Sequence, residues 1–336
     1  MIDYPAMTEK VRRQARDWLQ SGEVKYVIGY EKGAHSPIAR PVFIHAASEV
    51  EKLVWDPTCV GNLTLYLVEE MQKVPARGEE PDDRPVGIIV KPCDAKTLVE
   101  LIKENIVPRD RVRIIGVSNI GTVDPKKLDA VSGKIPLAWR AKIEISQDND
   151  HFTISYDGKS FQLPRAELLA DKCRTCVVHN PAIADLVVGD EIEDPGADDF
   201  ADLEAMEELS PERRWEFWEK QMSRCVRCYA CRDACPLCYC VECVFDKTKP
   251  FKWIEKSVQR DENLFYHMVR AMHLAGRCVD CGECERVCPM DIPLRKLNRL
   301  LIKSSQERYK VFPGIDESDK PVFGTYDIED PEGDVW

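Results

Sequence analysis

Two cysteine runs constrain this chain more than any other feature. Cys225, Cys228, Cys231 and Cys235 are separated by two, two and three residues and followed by Pro236. Cys278, Cys281, Cys284 and Cys288 repeat that spacing and are followed by Pro289. It is the spacing of bacterial two-cluster ferredoxins, in which the fourth cysteine of each run serves the other cluster. A short loop brings three thiolates to three irons of one 4Fe-4S cubane. The fourth cysteine lies past a turn and faces the other way. The expected ligand sets are therefore Cys225, Cys228, Cys231 with Cys288, and Cys278, Cys281, Cys284 with Cys235. Each proline stops the turn from continuing as a helix. Zinc prefers four ligands in Cys-x2-Cys pairs and calls for neither the third cysteine nor the crossing. Between the runs, "DENLFYHMVRAMHLAGR" reads as a helix. Its His267 and His273 read as packing or surface residues, not ligands.

The remaining composition sets bounds. A chain of 336 residues favours about two domains. A formal net charge of −12 argues against nucleic acid, whose phosphates require a basic surface. The N-terminus lacks the apolar core of a signal peptide. The longest apolar runs, such as "VGIIV", are strand-sized, so no membrane span is expected. Fifteen cysteines without a secretion signal read as reduced cytoplasmic thiols kept as metal ligands.

Along the chain, residues 8–21 read as a helix capped by Thr8 and ended by Gly22. "EVKYVIGY" and "RPVFIHA" read as strands, with a second helix after Pro57. Strand 86–90, helix "AKTLVELIKEN" and strand 111–117 form a β-α-β unit. The loops Lys91–Asp94 and Ser118–Gly121 then share the carboxyl edge of the sheet, where open α/β sheets bind ligands. "KIEISQDNDHFTISYDGKSFQLP" reads as antiparallel strands turning at Asn149-Asp150 and Asp157-Gly158. The expected layout is an α/β domain with a mixed sheet over 1–188, then an acidic linker, or arm lying on a partner, over 189–210. A mainly helical two-cluster ferredoxin-like domain follows over 211–312, and an acidic extended tail over 313–336. Trp215, Phe217 and Trp218 are expected to pack over the cysteine runs.

Seven cysteines lie outside the two runs. Cys238, Cys240 and Cys243 are either buried thiols or most of a further ligand set. Cys59, Cys93, Cys173 and Cys176 are the only cysteines of the first half, and Cys173-x2-Cys176 is a metal-ligand spacing. They read as a third 4Fe-4S site, with an alternative set borrowing from Cys238, Cys240 and Cys243. Cys59 is expected to begin a helix, whose exposed N–H groups would favour thiolate.

"LVWDPTCVGNLTLYL", "VGIIVKPCDAKTLVELIKEN", "RIIGVSNIGTVDP" and "CRTCVVHNPAIADLVVGD" together resemble the beta-subunit family of coenzyme F420-reducing hydrogenases and formate dehydrogenases. The resemblance covers about residues 10–190. The rest resembles the two-cluster modules found with those subunits and with heterodisulfide-reductase-type complexes. It implies an α/β domain holding a flavin, usually FAD, beside a 4Fe-4S cluster. It carries Cys93, Cys173 and Cys176 as cluster ligands. Any flavin is expected over Lys91, Asp94, Ser118, Asn119 and Gly121, with Lys91 offsetting its phosphate. Ser118 and Asn119 stand in the block where a cysteine was expected. No Gly-x-Gly-x-x-Gly fingerprint is present, so a Rossmann-type nicotinamide site is not expected.

Two functions follow. One is an electron-transfer subunit relaying electrons between a catalytic partner and a redox carrier. The other is a self-contained iron–sulfur flavoenzyme acting on a small carrier such as F420 or a quinone. Clusters kept only to hold a fold are a poor third reading, because one metal site would suffice. No committed acid–base pair is legible, so no catalytic residue is assigned. His179 and Asp185 read as local hydrogen-bonding residues.

Overall fold

The computed structural model describes residues 2–319 apart from 75, 76, 79, 81, 141, 248, 250, 251 and 256. From residue 320 onward the expected acidic tail lies outside the described residues. The chain divides into two compact units, Met1–Asp198 and Asp199–Trp336.

The first unit is built on a five-stranded mixed sheet. Its strands are β1 (Val27–Glu31), β2 (Arg40–Ile44), β3 (Val86–Val90), β4 (Val112–Val117) and a late strand, Leu186–Val188, in the order β2-β1-β3-β4-late strand. β2 is antiparallel to β1, and the other pairings are parallel. All five residues of β3 are buried, as a continuous apolar run requires when both sheet faces are covered. The helix Pro92–Lys103 makes the expected crossover from β3 to β4. Both strands therefore end at one edge, with Lys91 and Ser118 as the next residues.

The first helix runs from Tyr4 to Ser21, four residues earlier than its pattern indicates. Asp3 caps it by accepting from Ala6 N at 2.9 Å. Thr8, read as the cap, instead exchanges hydrogen bonds with Trp55 through its hydroxyl. Gly22 ends the helix as expected, at φ 74°, a conformation glycine adopts without a Cβ penalty. The second helix begins only at Thr64, because residues 57–63 form a turn closed by Asn62 on Thr64 N.

A separate antiparallel meander follows: β5 (Glu144–Gln147), β6 (His151–Tyr156) and β7 (Lys159–Pro164). Asp157 and Gly158 join β6 to β7 with positive φ at both positions, the two-residue turn that matches strand twist. Phe152, Ile154 and Ile145 point inward against Val123, Leu128 and Leu168. The late strand, β8 (Leu186–Val188), escaped the sequence pattern because only three residues pair with β4.

The regular elements described in the second unit are helical. Helices Pro211–Ser223, Arg260–Leu274 and Leu294–Tyr309 surround two single-turn helices, Ala230–Asp233 and Glu283–Arg286. Each single turn lies inside one cysteine run. Trp218 packs against this core, whereas Trp215 is 57% exposed, contrary to expectation. The acid-rich stretch is ordered from Asp199: Phe200, Leu203 and Met206 recur every third residue and are buried. Arg299, 1% exposed, holds Asp202 at 2.6 Å, and Lys303 holds Glu207 at 2.7 Å.

Candidate metal centres and the sheet edge

The two cysteine runs coil alike. Arg227 and Tyr229, two and four residues after Cys225, have φ of 50° and 62°. Asp280 and Gly282, at the same offsets from Cys278, have φ of 60° and 70°. Left-handed backbone at alternate positions is costly for side chains other than glycine. Its recurrence marks a loop shaped to turn successive thiols to one side.

Cross-talk between the thiols shows which of them meet. Burial pushes the Cys225 thiol up, and Cys231, Cys288 and Cys228 add to the shift. Burial also raises Cys231, with Cys288 and Cys228 adding and Arg270 and Tyr266 opposing. In the other group burial raises Cys278, with Asp280, Cys281 and Cys235 adding. Burial raises Cys284, Arg270 opposes, and Cys278, Cys235 and Cys231 add. Cys288 thus acts on thiols of the first run and Cys235 on thiols of the second, while Cys231 also acts on Cys284 across the two runs. Among the described residues no group of three or more His, Cys, Asp or Glu side chains is placed to hold a metal ion as the thiols now stand.

The surroundings suit an anionic group. Arg270 lies 6% exposed, and its Nε has no hydrogen-bond partner. Burial disfavours its charge, but the thiols of Cys235, Cys284, Cys238 and Cys231 more than offset that. A buried cation held charged by thiols of both sets fits iron–sulfur clusters, which the thiolates make anionic. His267 is buried, with Nε2 3.3 Å from Cys225 Sγ. Burial, then Arg270, pushes its pKa down to about 3. The sequence read His267 as packing. It does pack, but against a candidate ligand, a role the helical pattern alone does not reveal. Asn298, also missed, points its amide at Cys284 Sγ, 3.6 Å away.

Cys238, Cys240 and Cys243 line one cavity of about 470 Å³ together with Arg232, Arg270 and Arg277. Cys238 shares a hydrogen bond with Cys235, which draws the Cys235 thiol down to about 6 despite its burial.

In the first unit Cys93 sits in the first turn of the helix after β3. Burial, then Asp94, pushes its thiol up to about 12, and Cys173 contributes to the rise. Cys173 lies beside Gly121, where an added Cβ would come 3.1 Å from Cys173 Cβ, and its thiol is 3.8 Å from Thr122 Oγ1. Cys93 and Cys173 therefore share the sheet's carboxyl edge. The Cys176 thiol lies 3.2 Å from the Val178 carbonyl. Cys59 is fully buried against the Val54 carbonyl, with Asp56, Lys91 and Lys32 as its charged neighbours. It does not begin a helix, which removes the expected N–H stabilisation of its thiolate.

The residues expected over a flavin do not fit that role. Lys91 is 1% exposed and donates to Tyr30 Oη and Asp94 Oδ2, both at 2.8 Å, and to the Gly61 carbonyl. Its charge is spent inside the protein, and Asp94 is buried with it. Ser118 is buried on Asn180. The Asn119 side chain accepts from Gly121 N. Gly121, at φ 140°, lies under Leu169, Arg165 and Cys173. His179 is half-buried with Nδ1 unpartnered. Asp185 accepts from Ile114 N at 2.8 Å and pairs with Arg109, the local role its position implies.

An α/β unit with thiols on its ligand edge, joined to a unit carrying two like-coiled four-cysteine runs, has the cysteine pattern of an iron–sulfur protein. Residues 83–200 match the family described as the C terminus of the coenzyme F420 hydrogenase/dehydrogenase beta subunit, and residues 221–292 match the 4Fe-4S dicluster domain. The chain thus resembles a segment of that beta-subunit family followed by a 4Fe-4S dicluster domain. It is 28% identical to the F420-dependent formate dehydrogenase subunit beta of Methanocaldococcus jannaschii, over 72% of this chain and 76% of that protein. It is 24% identical to the F420-dependent formate dehydrogenase 1 subunit beta of Methanococcus maripaludis, over 91% and 90%. A chain of the F420-reducing [NiFe] hydrogenase complex from Methanosarcina barkeri superposes with a TM-score of 0.41 at 15% identity. That match spans 53% of this chain and 64%, under two thirds, of the other. No helix among the described residues is long and apolar enough to cross a membrane.

Proposed function

We propose that this chain is the electron-transfer subunit of a multi-subunit oxidoreductase. It relays electrons between a redox carrier, coenzyme F420, and a catalytic partner of formate dehydrogenase, hydrogenase or heterodisulfide-reductase type. The observation that carries this reading is the pair of like-coiled four-cysteine runs beside the buried Arg270. Cys225, Cys228, Cys231 and Cys288 would hold one cluster, and Cys278, Cys281, Cys284 and Cys235 the other. Bound clusters supply one-electron transfer; the protein sets their separation and potential. Arg270 offsets their negative charge. Asn263, Tyr266 and His267, all buried, keep water from the first set. The F420 reading is supported by the names of the relatives.

Finer assignments go with this proposal. Cys59, Cys93, Cys173 and Cys176 are a third ligand set, supported by the shared edge of Cys93 and Cys173. Cys238, Cys240 and Cys243 form a further partial set, supported by their common cavity. FAD is supported by the family resemblance alone, and flavin content of the purified chain tests it. Iron content separates the sets: about eight irons for the dicluster domain, about twelve with a third cluster. Cys93→Ala should remove about four irons only if the third set is real.

The relay reading is tested by turnover. Anaerobic chain alone should oxidise reduced F420 slowly with an artificial acceptor, and fast turnover should require the catalytic partner. Fast turnover without a partner would make the chain a self-contained enzyme instead.

A further inference from the structure

The helix Arg260–Leu274 buries a stripe of polar side chains beside Ala271 and Leu274. Its buried face carries Asn263, Tyr266, His267 and Arg270, at 1%, 2%, 3% and 6% exposure. Its outer face carries Met268 and Met272, at 53% and 59%. Spacings of three, four and seven residues place the four polar side chains on one stripe. Burying such a stripe is unfavourable unless each group finds a partner. The partners belong to the cysteine runs. Asn263 Nδ2 donates to the Cys225 carbonyl at 2.8 Å. His267 Nε2 lies 3.3 Å from Cys225 Sγ. The Tyr266 hydroxyl, by contrast, is buried without a hydrogen-bond partner among the described residues. Arg270 donates to the Cys231 carbonyl at 2.8 Å and acts electrostatically on thiols of both sets.

The tautomer of His267 follows from its contacts. A ligating thiolate can only accept, so Nε2 must carry the proton. Nδ1 is buried with no partner, which suits a bare lone pair better than a second N–H.

We propose that this helix sets the potentials of the two clusters: His267 raises that of the first alone, by donating to Cys225 Sγ, and Arg270 raises both. Reduction adds one electron to an already anionic cluster. A donor on a ligand sulfur, or a fixed cation nearby, stabilises the reduced form more than the oxidised one. His267 contacts a thiol of the first set. Arg270 acts on Cys231 of the first set and on Cys235 and Cys284 of the second. It therefore also reduces repulsion between the clusters when both carry an electron. The inference rests on the ligand sets proposed above. It assigns the insert between the cysteine runs a redox task beyond packing.

An EPR-monitored titration of the full chain with dithionite tests it, with iron counted in every sample. The first cluster's signal is the one missing from Cys231→Ser. His267→Phe should shift that signal to lower potential at full iron content and leave the other in place. His267→Gln, which keeps a donor near the Nε2 position, should restore most of the shift. Arg270→Met should lower both potentials, and Arg270→Lys should hold both close to wild type. The inference fails if iron-replete His267→Phe leaves the first potential unchanged, or moves both equally. It also fails if His267→Phe loses the first cluster while His267→Gln retains it at a shifted potential. A wild-type chain without iron would refute the ligand sets themselves.

Discussion

Lys91 Nζ lies 2.8 Å from Asp94 Oδ2, and neither side chain is more than 1% exposed. Three residues apart at the start of the helix after β3, they form a buried ion pair on the edge where α/β sheets bind ligands. Tyr30 and the Gly61 carbonyl take the remaining ammonium protons. Breaking a buried pair from one side leaves an uncompensated charge, at a cost of about 3–5 kcal/mol. Lys91→Met should therefore lower stability by about that much in chemical denaturation, with Asp94→Leu added back recovering part of it. A Lys91→Met chain as stable as wild type but defective in binding a flavin would return Lys91 to the role its sequence position implied.

Arg299 ties the acid-rich stretch to the second unit. It bonds Asp202 at 2.6 Å and Asp280 at 2.7 Å, and Asp280 also pairs with Arg295. Arg299→Met should destabilise this unit by about 3–5 kcal/mol. Asp202→Asn, the milder change, should speed amide exchange over 199–207 more than over Arg260–Leu274. Equal exchange in both segments would mean that Asp202 does not hold the stretch.

Glu70 sets a pH limit on the first unit. Burial raises its carboxyl, but hydrogen bonds from Lys25, Lys73 and Tyr26 reverse that and bring it down to about 2. A folded-state value below the unfolded 4.5 gives stability that is complete above about pH 4.5 and is lost as pH falls towards 2. Glu70→Gln should melt below wild type at pH 7, and the gap should close between pH 4.5 and 2. A gap independent of pH would show that Glu70 acts through packing alone.

The sequence revealed most where its chemistry is repetitive. Spacing picked out the two cysteine runs, which fall within the matched dicluster segment, and apolar runs located β3 and β4. Local capping was less legible: Asp3 outcompeted Thr8 because Thr8 is engaged by Trp55, a contact 47 residues away. Phe200, Leu203 and Met206 were obscured by the acids between them. Lys91 looked free at a ligand edge because Tyr30 and Gly61, its partners, lie far from it in sequence. His267 and Arg270 could not be assigned from periodicity, since a buried polar stripe acquires its meaning only from what it faces.

The crossing of the fourth thiols is tested most directly by EPR spectra of reduced full-length Cys288→Ser beside those of Cys231→Ser. The two substitutions lie in different runs, yet they should damage the same cluster signal and leave the other intact. Loss in Cys288→Ser of the signal that Cys281→Ser removes would contradict the crossed sets, and with them the arrangement on which the relay rests.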